Sequence, residues 1–362
     1  MQDPRSILIW TGFEPSPDGH GGNLRTAQIH ELCTEAGFPP RRILREGRVA
    51  LPAKLAGGLR SRSALRRAGI GLPLRNLLLA GFYETILLRA LGAHTGARVL
   101  LWEDTSHPLP VLLARRLGFT VIALPQNIES LLGTRESTGP LASEVAGLSL
   151  ANRVFCIAEE ESWLLANLGV PSDLLPYHPV EIKVQAMEAV ARRRMGGLAA
   201  DAPWVIVGSA NHVPTREGMR TLVGWLQPAL RDGAKVVLGG FGTEKLEGEF
   251  ADSGVRFLGP LTGPQLEGLM AGARGILVHQ DRGAGALTRI PEALIARVPV
   301  VANRIAARNT RGYDGVSVYD SQEELLALLR AGVPGVARPP SRPVEAIGRL
   351  KLLLKSAADP HA

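Results

Sequence analysis

Short runs rich in valine, isoleucine and leucine recur along the chain, and segments with helical apolar spacing separate them. In the first half they occupy residues 7–10, 99–102, 121–124 and 154–157; in the second, 204–207, 236–238, 255–258, 276–278, 298–302 and 316–319. Runs this short and this uniformly apolar suit strands buried on both faces, and the helical segments between them are the crossovers that parallel pairing requires. Several end in Gly, Asp or Pro, where the carboxyl edge of a sheet opens into loops. At 362 residues the chain is too long for one comfortable core. The pattern predicts an α/β protein of two doubly wound, Rossmann-like domains facing an interdomain cleft.

Proline and charge place the boundaries. Pro171, Pro176 and Pro179, the cluster Arg192, Arg193 and Arg194, and the tract GGLAAD make 179–202 the expected linker between domains at 1–178 and 203–337. Apolar spacing at Ile347, Leu350, Leu353 and Leu354 predicts a last helix within 338–362 that packs back across the junction. Composition of 45% hydrophobic and 21% charged residues excludes a mostly disordered or collagen-like chain. Two cysteines, Cys33 and Cys156, exclude a disulfide framework and a multi-cysteine metal site; a single bridge stays open. The start, MQDPRSILIW, lacks the basic leader and long apolar core of an export signal, and 72–93 is interrupted by Arg75, Asn76, Glu84 and Arg89. A cytoplasmic protein is expected.

Charge is concentrated in one place. Residues 41–75 hold Arg41, Arg42, Arg45, Arg48, Lys54, Arg60, Arg62, Arg66, Arg67 and Arg75 against Glu46 alone, a local +9 in a chain of net +7. Two readings stand: a solvated helix face, or attraction to an anionic membrane surface or anionic acceptor, with peripheral attachment to the inner face of the membrane. Nucleic acid is not expected, because no aromatic residue interleaves the basic run to stack on bases.

Six loops could carry chemistry. The first strand leads through TGFEPSPDGHGG into a helix with Ile29, Leu32, Cys33 and Ala36 on one face. Gly19, Gly21 and Gly22 either form a plain turn or bring backbone amides close to an anion; His20 is either solvated or a ligand contact. After the run ending at Val207, Gly208 and Ser209 precede Arg216, and Gly240 follows the next run. Arg216 is either a surface arginine or a fixed cation for a diphosphate, and Ser209 either a helix cap or a hydroxyl donor. The richest stretch is HQDRGAGALTRIPEALIARVPVVAN, residues 279–303. There the backbone amides from Gly283 to Leu287, Gly285 among them, and the guanidinium of Arg289 could surround phosphate or sugar hydroxyls, with a helix starting near Thr288 or Pro291. Glu292 either accepts two ribose hydroxyl bonds or complements the dipole of its helix. In the first half, Glu103, Asp104, Asn127 and Glu129 lie in loops after strands, where one of them could orient an acceptor.

The order of GHGGNLRTAQIHEL, LPQNIESL, the helix and strand over 144–157, LPYHPV, GSANHVPTREG, LGGFG, RFLGPL and GALTRIPEALIARVPVVAN resembles glycosyltransferases of the GT-B fold, family 4 in particular, over nearly the whole chain. The resemblance implies a nucleotide-sugar donor on the second domain and a saccharide or lipid-linked acceptor on the first. It also implies hexosyl transfer with retention, with no bound metal or other cofactor, in polysaccharide biosynthesis. It makes Glu292 the acid on the donor ribose and Arg216 the cation at the diphosphate. Arg216, Arg289 and Asn127 are then the candidate catalytic residues. Gly208, Ser209, Gly240, Gly285, Leu287, Thr288 and Glu292 hold the donor, and His20, Gly21, Gly22, Glu103 and Asp104 the acceptor. Two positions depart from the family: Ala284 stands where it often has a first Glu, and Gln126 where a histidine reaches the transferred sugar. They motivate a second reading, a non-catalytic nucleotide-sugar-binding subunit, and a third is a nucleotide-sugar epimerase or hydrolase of the same fold.

Overall fold

The computed structural model describes residues 7–94, 98–132, 141–336 and 338–358. Residues 1–6, part of the stretch read for an export signal, lie outside them, as do residue 337 and the tail end 359–362. The chain divides into two compact units. Unit 1 comprises Met1–Pro15, Thr26–Pro176 and Pro343–Ala362; unit 2 comprises Ser16–Arg25 and Tyr177–Arg342.

In unit 1 and the glycine loop the elements run β1 (Ile7–Trp10), α1 (Gly21–Glu35), β2 (Pro40–Arg42), α2 (Leu51–Arg67), α3 (Leu77–Ala93), β3 (Val99–Trp102), α4 (Leu109–Arg116), β4 (Thr120–Ala123), α5 (Leu141–Leu148), β5 (Arg153–Cys156), α6 (Glu159–Asn167) and β6 (Ser172–Leu174). Among the described residues the sheet is β2-β1-β3-β4-β5-β6, with every pair parallel. Alternation along the strands feeds two cores. Leu8, Trp10, Leu100 and Trp102 pack with Leu87, Leu91 and Leu113. Ile7, Ile9, Val99 and Leu101 pack on the other core with Ile29, Leu32 and Cys33 of α1. Each such fully buried aliphatic side chain contributes roughly 1.5–3 kcal/mol. Cys33 and Cys156 belong to these two different cores and are free thiols, so the bridge left open by the sequence is not formed. Burial pushes the Cys33 thiol up to about 12.

Unit 2 continues with α7 (Glu181–Arg194), β7 (Trp204–Val207), α8 (Val213–Trp225), α9 (Gln227–Arg231), β8 (Val236–Gly239), α10 (Glu244–Glu247), β9 (Arg256–Phe257), α11 (Gly263–Gly272), β10 (Gly275–Val278), α12 (Arg289–Ile295), β11 (Val300–Asn303), β12 (Val316–Tyr319) and α13 (Gln322–Ala331). Its sheet order is β12-β11-β10-β7-β8-β9, again parallel throughout. The stretch 179–202, expected as a linker, therefore contains a helix: α7 buries Lys183, Met187 and Val190 at spacings of four and three, against α11 and α12. The last helix, α14 (Val344–Ala358), returns to unit 1 and buries Ala346, Ile347, Leu350 and Leu354 beside α1.

Strand order locates the crevices. Unit 1 reverses direction between β1 and β3, and unit 2 between β7 and β10. Loops leaving the carboxyl ends of strands at such a reversal diverge above and below the sheet and leave room for a ligand. Both units are doubly wound α/β sheets, as the alternation of runs predicts.

Candidate functional site

In unit 2 the reversal lies between the loops 208–212 and 279–288. The first loop is shaped by close approach. A Cβ on Gly240, whose φ is +129°, would lie 2.9 Å from the Gly208 carbonyl carbon, and the Gly208 amide itself donates to the Gly239 carbonyl at 3.2 Å. Gly208 also faces the Arg289 guanidinium, whose Nη1 donates to the Val207 carbonyl. A side chain at either glycine would push the two strand ends apart. Ser209 is half-buried and does not cap α8; that position belongs to His212, whose Nδ1 lies 3.0 Å from the Thr215 hydroxyl. Arg216 lies in the first turn of α8, half-buried, and donates to the Ala210 carbonyl at 3.0 Å.

The second loop is fixed from beneath. Arg308 donates to the carbonyls of Gly285 at 2.9 Å and Ala284 at 2.6 Å, and Asn309 also donates to Gly285. Asn303 closes the loop's other end: its Oδ1 accepts from the Gln280 amide at 3.0 Å and its Nδ2 donates to the Gln280 carbonyl at 2.8 Å. Ala284 thus presents its backbone to Arg308. Leu287 packs partly into the core, and Thr288 starts α12 with Gly21 of the glycine loop beside it, a Cβ at 21 being 3.6 Å from the Thr288 hydroxyl.

Glu292 is 7% exposed, and its Oε1 accepts from the Tyr177 hydroxyl at 2.8 Å. Among the described residues Tyr177 is its hydrogen-bond donor, at Oε1 rather than Oε2. Burial raises the Glu292 pKa above the ordinary carboxylate value; the charges of Lys183 and Arg289 and the Tyr177 hydroxyl pull it back. Tyr177 is itself raised well above its usual value, first by burial and then by the Glu292 charge. Buried Lys183 stands 3.4 Å from Asp18 of the glycine loop. Part of the Arg289 residue is exposed, yet desolvation of its guanidinium lowers its pKa to about 10, with Glu292 acting in the opposite sense. It remains a cation at neutral pH. The helix-dipole reading of Glu292 does not account for a carboxylate buried among a phenol, a lysine and an arginine.

Of the sequence candidates, Gly208, Ser209, Gly285, Leu287, Thr288, Arg289, Glu292 and Arg216 lie at this reversal, Gly240 follows the next strand, β8, and packs on Gly208, and the loop with His20, Gly21 and Gly22 belongs to the same unit. His20 Nδ1 accepts from the Gly22 amide at 3.2 Å, and partial burial lowers its pKa. Tyr177, Lys183, Asn303 and Arg308 were missed as site residues, although Tyr177 and Asn303 sit inside quoted motifs, LPYHPV and PVVAN.

In unit 1 Glu103 and Asp104 follow β3 at that unit's own reversal, while Gln126 and Asn127 follow the neighbouring strand β4. Glu103, 1% exposed, accepts from the Thr26 hydroxyl at 2.7 and 2.8 Å and from the Gln126 amide at 2.8 Å. Asp104 pairs with Arg45 at 2.6 Å and accepts from Ser106; the Arg45 guanidinium lies 4.3 Å above the Trp10 ring. Asn127 donates to Glu129 at 3.3 Å. Among the described residues no group of three His, Cys, Asp or Glu side chains is arranged to hold a metal ion.

No protein-family model matches the sequence, and no curated protein matches it. Solved structures do. A sucrose-phosphate synthase from Thermosynechococcus elongatus superposes with a TM-score of 0.63 at 16% identity, covering 98% of this chain and 95% of that one. HepE of Anabaena, solved with UDP and glucose, gives 0.61 at 12% identity over 97% and 95%. A UDP-GlcNAc 2-epimerase from Methanocaldococcus jannaschii gives 0.52 at 14% identity over 97% and 99%. The chain has the GT-B fold, the architecture its sequence motifs resemble.

Proposed function

We propose that the protein is a glycosyltransferase of the family 4 type, moving a hexosyl group from a nucleotide-activated donor held by unit 2 to a saccharide or lipid-linked acceptor held by unit 1. The observation that carries this is Glu292: a buried carboxylate with one oxygen fixed by Tyr177 and the other without a hydrogen-bond donor among the described residues, beside the Arg289 guanidinium at the β7/β10 reversal. A fixed carboxylate accepts paired ribose hydroxyls, and the cation suits the diphosphate that follows the ribose. HepE, of the same fold, is solved with UDP and glucose. In the proposed reaction the bond from the anomeric carbon to the diphosphate oxygen breaks and the acceptor oxygen attacks from the same face. Its proton passes to the departing phosphate, giving retention without a metal ion or bound cofactor. Arg216 and Arg289 stabilise the charge that develops on the leaving group.

The second reading, a binding subunit without turnover, is favoured by Gln126, whose amide is committed to Glu103 where the family has a histidine. Incubation with a panel of nucleotide sugars, with and without acceptor extracts, decides between them. Formation of a product with the donor's anomeric configuration is expected, undiminished by chelator. Donor binding with no product from any acceptor fraction selects the second reading, and epimerised or hydrolysed donor overturns both.

A further inference from the structure

We propose that the α2–α3 hairpin of unit 1 is a docking surface for an anionic lipid bilayer. The two helices meet backbone to backbone: a Cβ on Gly81 would lie 2.7 Å from the Gly58 amide nitrogen, and one on Gly58 would lie 3.0 Å from the Leu77 carbonyl carbon. Such close approach keeps large side chains out of the contact, and the leucines in the first half of α2 turn outward. Leu51, Leu55 and Leu59 are 58%, 43% and 58% exposed, and Leu74 and Leu78, leading into and starting α3, are 66% and 42% exposed.

The leucines of α2 share their face with cations. At about 100° per residue, Leu51, Leu55, Leu59, Arg62 and Arg66 fall within an arc of about 80°. The apolar half of that face lies toward the amino end of α2 and the cationic half toward its carboxyl end. Arg67 and Arg75 are also exposed. No Asp or Glu occurs between Glu46 and Glu84. Glu84 is buried and taken up by Arg60 at 3.1 Å, so it does not offset the exposed charge. Two other basic residues of the run are also engaged within unit 1, Arg42 with Glu14 and Arg45 with Asp104. What remains is a ridge of leucines continued by arginines that have no carboxylate partner among the described residues, which matches a surface with acyl chains beneath a layer of phosphates. Residues 51–75 contain no aromatic side chain for base stacking. No helix among the described residues is long and apolar enough to cross a membrane, so the attachment is superficial.

The test needs neither donor nor turnover, so it stands apart from the glycosyl-transfer reading. The full chain is sedimented with vesicles of phosphatidylcholine alone or mixed with phosphatidylglycerol. Binding is expected to the mixed vesicles only, weakening as added salt shortens the screening length. Arg62→Glu/Arg66→Glu is expected to lower the partition roughly ten- to hundredfold. Leu55→Gln/Leu59→Gln should abolish what binding survives high salt. Arg231→Glu/Arg330→Glu, the same charge change in unit 2, should bind as the parent does. Thermal melting of each variant confirms that it is folded. Equal binding to both vesicle types, equal loss in the unit 2 variant, or a concentration-dependent dimer that Leu55→Gln/Leu59→Gln dissolves would overturn the proposal.

Discussion

Replacing Glu292 with glutamine separates a ligand-binding role from a packing role, because the two predict different signs for stability. The amide keeps the volume and can still accept the Tyr177 hydroxyl, but it removes a charge that burial holds at a cost. The Glu292 pKa is raised from 4.5 chiefly by that burial. For an acid raised on folding, the stability contribution is complete below the unfolded value and is lost as pH rises through the folded one. The variant should therefore match or exceed the parent in stability at neutral pH and lose that advantage as the pH falls below 4.5, where the carboxyl is protonated in both states. Binding should move the other way. Hydrogen bonds to a charged group contribute about 1.5–3 kcal/mol, so losing the carboxylate at the ribose should weaken nucleoside diphosphate binding roughly ten- to hundredfold. Titration calorimetry with UDP, GDP and ADP at neutral pH, beside denaturant unfolding across the acid range, reads both quantities. An unchanged affinity for every nucleotide in a folded variant would refute the donor role. A stability loss at neutral pH as large as the binding loss would refute the account of Glu292 as a strained, ligand-facing charge.

Three further outcomes follow from the geometry. Arg289→Ala should cost stability as well as turnover, because the guanidinium bonds the Val207 carbonyl. Arg289→Lys, which keeps the charge but not the fork, should melt near the parent while kcat falls on the order of a hundredfold in single-turnover assays. His107 accepts the Leu109 amide at Nδ1, and burial lowers its pKa to about 4, against an opposing contribution from Asp104. The folded state then binds fewer protons than the unfolded one between about pH 4 and 6.5, so stability should rise across that window by about 3 kcal/mol. Urea titrations of His107→Asn should show a flatter pH dependence. Gly218 of α8 packs against the backbone of 279–280, a Cβ there lying 2.7 Å from the His279 carbonyl carbon. Gly218→Ala should lower stability by about 1–3 kcal/mol in the same titrations despite alanine's better helix propensity.

Local patterns were readable where one segment holds both halves of the reason. The buried strands announce themselves because a strand covered on two faces must be apolar at every position, and TRIPEAL announces α12 because proline and acid sit together in its first turn. The edge strands β2 (PRR) and β6 (SDL) carry no such signal, since an edge is polar and takes its pairing from its neighbour. Helix α7 hid behind flanking prolines and an arginine run, although Lys183, Met187 and Val190 have the right spacing. The Tyr177–Glu292 bond joins residues 115 apart in sequence, and Arg308 reaches back 24 residues to Ala284. Only the fold brings those groups together, so no periodicity could show them.

The same fold serves a sucrose-phosphate synthase and a 2-epimerase, so architecture does not choose the chemistry, and the choice rests on how protons are handled in unit 1. A carboxylate that activates water or abstracts a proton needs a free oxygen within reach of the substrate. Glu103 spends its oxygens on Thr26 and Gln126, and Asp104 is held by Arg45 and Ser106. Both acids expected to orient an acceptor also brace the β1/β3 reversal, where they hold Thr26 and Arg45 in place. In the proposed transfer, with those two carboxylates engaged, the proton of an acceptor hydroxyl has a ready destination in the departing phosphate, whose basicity grows as its bond to the sugar breaks. That is the physical ground for proposing same-face transfer over base-catalysed hydrolysis. It also sets a discriminating result: Glu103→Gln should disturb the fold around Thr26 and Gln126 before it disturbs the pH dependence of turnover, whereas a general base at this position would remove the acidic limb of the rate profile while the protein stayed fully folded.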